Sequence, residues 1–274
     1  MINRVGHGAE GRGITLTLSP MPLAPSPKTQ AHMQLIVKKD PTELAQAVAD
    51  WLVTYINDVL QRQQRFTIAL SGGSTPEALF KLLAESPYRE VIPWDKLHIF
   101  WGDERYVPLD DDRSNARMAY QTLLNHVPVE STQVFVWQTN QDPDVAADRY
   151  ANILHTYFDG YSRTFDLVML GMGDDGHTLS LFPGTEVVHE EQDWTKAYFL
   201  ESQNMYRLTL TAPVVNKAAA VAFLVAGPKK AAPLNEVLHG DYRPDMYPSQ
   251  VIRPTDGELY WFVDEAAAAQ VQPS

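Results

Sequence analysis

Apolar and polar residues follow two distinct periods along this chain. Unbroken apolar runs predict strands at residues 35–37, 66–70, 97–101, 134–137, 165–170, 221–226 and 260–263. Between them, apolar residues recur every three or four positions, which predicts helices over 41–60, 76–83, from 114 onward, over 144–158 and up to 238. A repeated strand–loop–helix order with fully apolar strands indicates an α/β fold whose parallel sheet is covered on both faces.

The first 33 residues lack this pattern. Four prolines crowd between residues 20 and 27 after four glycines, and the uninterrupted apolar segment of a signal peptide is missing. We expect residues 1–33 to be a disordered extension, or else an over-long start that precedes Met33 as the first residue. Residues 34–274 are expected to form a single domain.

The composition of the chain excludes several classes of partner and chemistry. The chain has 274 residues, 45% of them hydrophobic, a net charge of −12 and no cysteine. The negative charge argues against nucleic acid or an anionic membrane as a partner, and the lack of cysteine excludes disulfides and thiolate chemistry. No apolar run approaches the roughly twenty residues of a membrane span. We expect a cytoplasmic monomer or weak homo-oligomer.

The segment FDLVMLGMGDDGHTLSLFP, residues 165–183, carries the strongest functional signal. A β-prone run ends in three glycines that bracket Asp174 and Asp175, and His177 follows at once. Ligands of open α/β sheets bind at the carboxyl ends of the strands. His177 is suited to take and return a proton near neutral pH.

Other interpretations of this segment are open. The three glycines spell G-x-G-x-x-G, but two aspartates lie inside the loop and Pro183 interrupts the helix that should follow. A metal site of Asp174, Asp175 and His177 lacks a second histidine at helical ligand spacing. The aspartates also fit a simple turn with His177 at a helix start. From this segment alone, the structural and catalytic interpretations are about even.

Polar residues follow other predicted strands as well. The segment Ser71-Gly72-Gly73-Ser74-Thr75-Pro76 has the glycines, hydroxyls and helix-starting proline of a phosphate cradle, and its alternative is a capped turn. Asp103, Glu104 and Arg105 follow another strand. Their carboxylates are suited to sugar hydroxyls or to orienting a base, and the arginine to an oxyanion, although from this segment alone a surface ion-pair turn is the favoured explanation.

Two further cations stand out. Arg207 lies in an apolar strand-like run over 206–212, and a buried arginine needs either a carboxylate or a ligand phosphate as partner. Lys230 opens a helix after Gly227-Pro228, where its charge opposes the helix dipole, and this favours a ligand-directed role.

Together these segments resemble 6-phosphogluconolactonases. The match consists of SGGSTP at 71–76, GDERYVP at 102–108 with Ser114-Asn115 downstream, and GMGDDGHTLSLFP at 171–183. RLTLTAPVVN, GPKKAAPL and LYWFVDEAA also fit, so the resemblance covers residues 34–268 in order. It implies a Rossmann-like three-layer α/β/α fold with a mostly parallel sheet, shared with glucosamine-6-phosphate deaminase.

The resemblance implies hydrolysis of 6-phospho-D-glucono-1,5-lactone in the oxidative pentose phosphate pathway, with a phosphorylated sugar lactone as partner and no metal or organic cofactor. His177 would act as base and acid, and Asp175 would orient its imidazole. Asp103 would face sugar hydroxyls or water. Backbone N–H groups of the loop at 171–176, or Arg105, would stabilise the oxyanion.

The 6-phosphate is expected to bind Gly72, Gly73, Ser74 and Thr75, together with Arg207 and Lys230. The deaminase pattern has a glutamate five residues after the histidine and a tyrosine after Asp-Glu, whereas this chain has Phe182 and Arg105, which favours the lactonase. The alternatives are a deaminase-like isomerase or a non-catalytic sugar-phosphate-binding module. A CoA-transferase-like enzyme would need a catalytic glutamate that the sequence does not indicate.

Overall fold

The computed structural model describes residues 33–271, so the expected disordered extension lies outside the described residues except for Met33. Within this range nine strands occur. In chain order they are β1 (Met33–Lys38), β2 (Phe66–Leu70), β3 (Leu97–Trp101), β4 (Asp103–Arg105), β5 (Leu167–Leu170), β6 (Thr195–Leu200), β7 (Met205–Leu210), β8 (Ala220–Val225) and β9 (Glu258–Asp264).

Six strands form the main sheet, in the order β1-β9-β8-β5-β2-β3, and every neighbouring pair is parallel. The four central strands β2, β5, β8 and β9 are apolar and almost completely buried, as expected for a sheet covered on both faces. The predicted α/β class with a parallel sheet is therefore confirmed.

Eight α-helices lie between or after the strands over the described range. They are α1 (Pro41–Leu60), α2 (Ser74–Leu83), α3 (Tyr88–Val91), α4 (Asn115–Thr122), α5 (Pro143–Phe158), α6 (Ala212–Val215), α7 (Ala231–His239) and α8 (Glu265–Ala268). The start of α1 is fixed as its sequence predicts, because the Asp40 carboxylate accepts hydrogen bonds from the backbone N–H groups of Thr42 and Glu43, both at 2.9 Å.

The helices cover both faces of the sheet. On one face, Trp51 of α1 packs against Tyr260 and Phe262 of β9. On the other face, Phe158 of α5 packs near Phe100 of β3, at a ring-centroid distance of 6.2 Å. These contacts give three layers, with the sheet in the middle.

A second sheet was not anticipated from the sequence. Strands β4, β7 and β6 form an antiparallel ribbon in that order. The run over 206–212 was expected to be strand-like, and β7 confirms it, but its pairing with a three-residue strand that begins at Asp103 has no clear sequence signal. The ribbon brings Asp103 opposite Thr209 and Arg105 opposite Arg207.

The strand predicted at 134–137 was wrong. Only an isolated bridge between Ile99 and Val134 is formed there. The apolar side chains of this segment are used in aromatic packing instead, because Trp137 stacks on Tyr150 at 3.8 Å. The Tyr150 hydroxyl donates to the Phe135 carbonyl at 3.1 Å and so satisfies a group that a ladder would have used.

Candidate active site

The carboxyl ends of β2, β5 and β8 open on one cavity of about 240 Å³. The chain leaves β2 toward β3 on one side, and leaves β5 toward β8 on the other. A crevice forms where neighbouring connections diverge, and ligands of open α/β folds bind there.

Nine of the ten residues predicted for the site line this cavity. They are Gly72, Gly73, Ser74, Thr75, Asp103, Arg105, His177, Arg207 and Lys230. The tenth, Asp175, contacts His177.

The loop after β2 presents backbone amides to the cavity. Gly73 precedes α2 with a φ of +101°, a conformation that favours glycine, and no side chain of residues 33–271 caps the first turn of the helix. At Gly72 the reason for glycine is space, because a Cβ atom there would lie 1.8 Å from Oδ1 of Asn115. Uncapped N–H groups at a helix N-terminus, next to two hydroxyl side chains, are suited to bind an anion.

His177 and Asp175 form a close pair in the loop after β5. Nδ1 of His177 lies 2.5 Å from Oδ1 of Asp175, which also accepts the His177 backbone N–H at 3.1 Å. Gly173 makes room for the pair, since a Cβ atom there would lie 2.1 Å from the same ring nitrogen. Burial by itself would raise the pKa of Asp175, but the hydrogen bond and charge of His177 hold this pKa below its ordinary value.

Phe182 orients the same imidazole from one face. Its ring stacks on His177 with centroids 4.0 Å apart, and the guanidinium of Arg207 lies 5.4 Å from the same phenyl centroid. With Nδ1 engaged by Asp175, the Nε2 atom has no hydrogen-bond partner among residues 33–271. This arrangement suits a neutral imidazole that accepts a proton at Nε2.

Arg207 and Asp103 form a buried ion pair. Nη2 of Arg207 lies 2.9 Å from Oδ2 of Asp103, and their side chains are 4% and 7% exposed. Ser180 donates to the same carboxylate oxygen at 2.7 Å, while the Asn115 amide contacts Oδ1 at 3.2 Å. The buried arginine therefore has a carboxylate partner, and both oxygens of Asp103 are engaged inside the protein.

Glu104 caps a helix rather than facing a ligand. Its carboxylate accepts the backbone N–H groups of Asn115 and Ala116 at the start of α4, at 2.7 and 2.8 Å. Burial raises the pKa of Glu104 above its ordinary value, and the N–H groups act in the opposite direction. The expectation that this residue contacts sugar hydroxyls or orients a base is not supported by its position.

Two cations remain at the cavity. Arg105 donates from Nη1 to the Arg113 carbonyl at 2.7 Å, while its Nε is buried without a hydrogen-bond partner in the described part of the chain. Lys230 follows the turn that begins at Gly227, and its Nζ lies 2.6 Å from Oδ1 of Asp174. Arg105 thus has a donor left for a ligand in its Nη2, which has no hydrogen-bond partner among residues 33–271 and is not among the buried atoms, whereas Lys230 already contacts an exposed carboxylate.

Three residues at the site were not predicted as site residues, namely Asn115, Ser180 and Phe182. Asn115 lines the cavity and donates to the Asp103 carbonyl at 3.0 Å. Its only sequence signal was the Ser-Asn pair about ten residues after the Gly-Asp-Glu-Arg segment. The role of Ser180 depends on a partner 27 positions away in the chain, which no local pattern indicates.

Comparisons with known proteins identify the family of this chain. The model of the family described as glucosamine-6-phosphate isomerases/6-phosphogluconolactonase matches residues 39–261. The chain therefore belongs to this family. A 6-phosphogluconolactonase of Synechocystis sp. is 40% identical over 226 residues, which cover 81% of this chain and 91% of that protein. One of Nostoc sp. is 40% identical over 239 residues, which cover 86% and 97%.

Solved structures are similar to this chain as well. A 6-phosphogluconolactonase from Trypanosoma cruzi has a TM-score of 0.78 at 28% identity and covers 90% of this chain and all of its own. A monomeric glucosamine-6-phosphate deaminase has a TM-score of 0.73 at 19% identity, which shows a shared fold only. The predicted resemblance to 6-phosphogluconolactonases and the predicted similarity of fold to the deaminase are confirmed.

Among the helices of residues 33–271, none has the length and apolar character of a membrane span. The same range holds no group of three or more histidine, cysteine, aspartate or glutamate side chains arranged to bind a metal ion.

Proposed function

We propose that this protein hydrolyses 6-phospho-D-glucono-1,5-lactone to 6-phospho-D-gluconate in the oxidative pentose phosphate pathway. The observation that carries the proposal is the His177–Asp175 pair at 2.5 Å, at the edge of a cavity that also contains an anion-binding loop. The names of the relatives also support the proposal, because the Synechocystis and Nostoc proteins are both 6-phosphogluconolactonases.

The proposed chemistry begins with water. Nε2 of His177 takes a proton as the water oxygen bonds to C1 of the lactone, and the carbonyl oxygen becomes an oxyanion. The C1–O bond to the ring oxygen then breaks, and the imidazolium returns the proton to that oxygen. Asp175 holds the ring through Nδ1 and stabilises its charged form, which a neutral hydrogen-bond acceptor would do less well.

The 6-phosphate and the developing oxyanion are assigned to different residues of the cavity. The uncapped first turn of α2, with Ser74 and Thr75, binds the 6-phosphate together with Arg207 and Lys230. Arg105, whose Nη2 has no hydrogen-bond partner in the described range, stabilises the oxyanion. Asp103 acts indirectly, because Arg207, Ser180 and Asn115 already engage its carboxylate.

The deaminase-like alternative is disfavoured by the surroundings of His177. The group stacked on its imidazole is Phe182, which has no proton to exchange. Glu104 is held at the start of α4, and Asp174 pairs with Lys230. A purely binding module is disfavoured because it has no use for an oriented imidazole beside the phosphate loop. The cytoplasmic location and the monomeric or weakly oligomeric state stay predictions.

A direct assay tests the proposal. Freshly generated lactone is added to the protein at constant pH, and acid release is titrated, because each hydrolysis liberates one proton. We expect a rate far above the spontaneous one. A rate equal to that without protein would refute the proposed function.

A further inference from the structure

The loop that carries His177 contains a strained residue. Leu179 has a φ of +53°, although it is not a glycine. This conformation costs a branched side chain about 1–2 kcal/mol and, near a candidate site, motivates a functional hypothesis. It lies in a tight turn in which the Leu181 N–H donates to the Thr178 carbonyl at 2.9 Å. The turn directs the next residue, Ser180, to the interior, where it is fully buried.

Ser180 connects this loop to the buried ion pair. Its hydroxyl donates to Oδ2 of Asp103 at 2.7 Å and accepts Nε of Arg207 at 2.8 Å. The hydroxyl thus uses both its donor and its acceptor capacity on the two charged groups. The Ser180 carbonyl is fixed as well, because it accepts the Tyr198 hydroxyl at 2.7 Å.

The remaining contacts of Arg207 leave donors for a ligand. Nε is used by Ser180, one N–H of Nη2 by Asp103 and one N–H of Nη1 by Gln203 at 3.0 Å. A guanidinium has five N–H groups, so two have no partner among the described residues. Arg207 lines the cavity, and the orientation of these two donors is set by the three contacts.

We propose that Ser180 is a positioning residue that holds the Arg207 guanidinium in register with the His177 loop, so that the cavity recognises a phosphorylated sugar. This inference rests on the proposed function and adds how phosphate recognition is built. Ser180 acts only through Arg207. A merely structural serine would instead affect every substrate alike.

The test is a double-mutant cycle with Ser180→Ala and Arg207→Ala. Removal of the hydroxyl leaves Nε of Arg207 without its acceptor, so the guanidinium is held less firmly. Ser180→Ala should therefore lower kcat/KM for the phosphorylated lactone about 10- to 100-fold, mainly through KM. For unphosphorylated gluconolactone, the change should stay within about two-fold. In the Arg207→Ala background, Ser180→Ala should have no further effect on phosphorylated substrate.

Thr195→Val is the matched control. Thr195 is also buried and donates its hydroxyl to the Ala147 carbonyl at 2.9 Å, but it lies outside the cavity. We expect this variant to lose stability without changing the ratio of kcat/KM for the two substrates. If Ser180→Ala does not fold, Ser180→Cys replaces it, because a thiol is a weak donor and acceptor and the same substrate split is expected.

The same cycle, measured as affinity for 6-phosphogluconate by calorimetry, separates this inference from the proposed function. Absence of lactone hydrolysis by the wild-type protein would refute the function, while the binding cycle would still test Ser180. Three results would overturn the inference. They are equal losses for both substrates, an unchanged 6-phosphogluconate affinity in Ser180→Ala, and additive effects of the two substitutions.

Discussion

The Asp103 carboxylate meets the Arg207 guanidinium at 2.9 Å inside the protein, with both side chains almost entirely excluded from solvent. The two residues lie in different strands of the antiparallel ribbon and are 104 positions apart in the chain. This pair joins the first residue of β4 to β7 at the wall of the cavity. It therefore links the stability of the ribbon to the charge that the site presents.

Loss of Asp103 should destabilise the fold. Asp103→Ala leaves a buried guanidinium without its counter-ion, and breaking a buried pair in this way costs about 3–5 kcal/mol. Urea denaturation of the variant measures this loss. Glu77→Ala is the comparison, because it removes an exposed i,i+4 pair with Lys81 and should cost less than about 0.5 kcal/mol. Equal effects of the two substitutions would contradict the role of burial.

Gly72→Ala should impair anion binding. The new Cβ atom would lie 1.8 Å from Asn115 Oδ1, so the loop or the amide must move. We expect affinity for 6-phosphogluconate to fall at least about ten-fold, which is about 1.4 kcal/mol.

Gly160→Ala provides the control for this substitution. Gly160 has a φ of +83°, no atom of the described part of the chain lies within 4 Å of an added Cβ, and the residue is outside the cavity. Gly160→Ala should lower the free energy of unfolding by about 1 kcal/mol and leave the affinity for 6-phosphogluconate unchanged. Calorimetry that finds equal affinities for Gly72→Ala and the wild type would show that the loop tolerates a side chain.

Stability should depend on the protonation of His98. Its Nδ1 lies 2.9 Å from the Tyr157 hydroxyl, and burial together with the charge of Arg65 lowers its pKa below the ordinary 6.5. Near pH 6 the unfolded chain therefore binds more protons at this residue than the folded protein does. Its contribution to the free energy of unfolding is complete above about pH 6.5 and is lost as the pH falls through the lower, folded-state pKa.

His98→Gln removes this titration. Urea denaturation between about pH 7 and pH 5 should show a smaller decrease in the free energy of unfolding for the variant than for the wild type. Parallel curves for the two proteins would show that His98 titrates normally in the folded state.

The parallel sheet was predictable because each strand is a local apolar run. The Gly-rich loops and His177 were predictable because they follow those runs directly. Prediction from the sequence fails for the contacts among Asp103, Ser180 and Arg207. These contacts join three segments that are distant in the chain, and a local sequence pattern does not indicate a long-range hydrogen bond. The failure at 134–137 has a similar cause, since Trp137 uses its apolar surface on Tyr150 rather than in a strand.

Incubation with glucosamine 6-phosphate should release no ammonia above background. Isomerisation requires a proton to move between carbons, and His177 is stacked on Phe182 rather than next to a second carboxylate. Glu104 cannot substitute without giving up the N–H groups of Asn115 and Ala116. Ammonia release at a rate comparable to lactone hydrolysis would overturn the assignment while leaving the fold unaffected.

The most direct measurement is lactone hydrolysis by His177→Ala beside His155→Ala. His155 forms a similar pair with Asp159, at 2.8 Å, but lies on the surface of α5 outside the cavity. The proposed role of His177 predicts that kcat falls about 10²- to 10⁴-fold for His177→Ala, with 6-phosphogluconate affinity nearly intact, because proton transfer is lost and the phosphate loop is not. His155→Ala should retain wild-type turnover. Undiminished hydrolysis by His177→Ala would contradict the account.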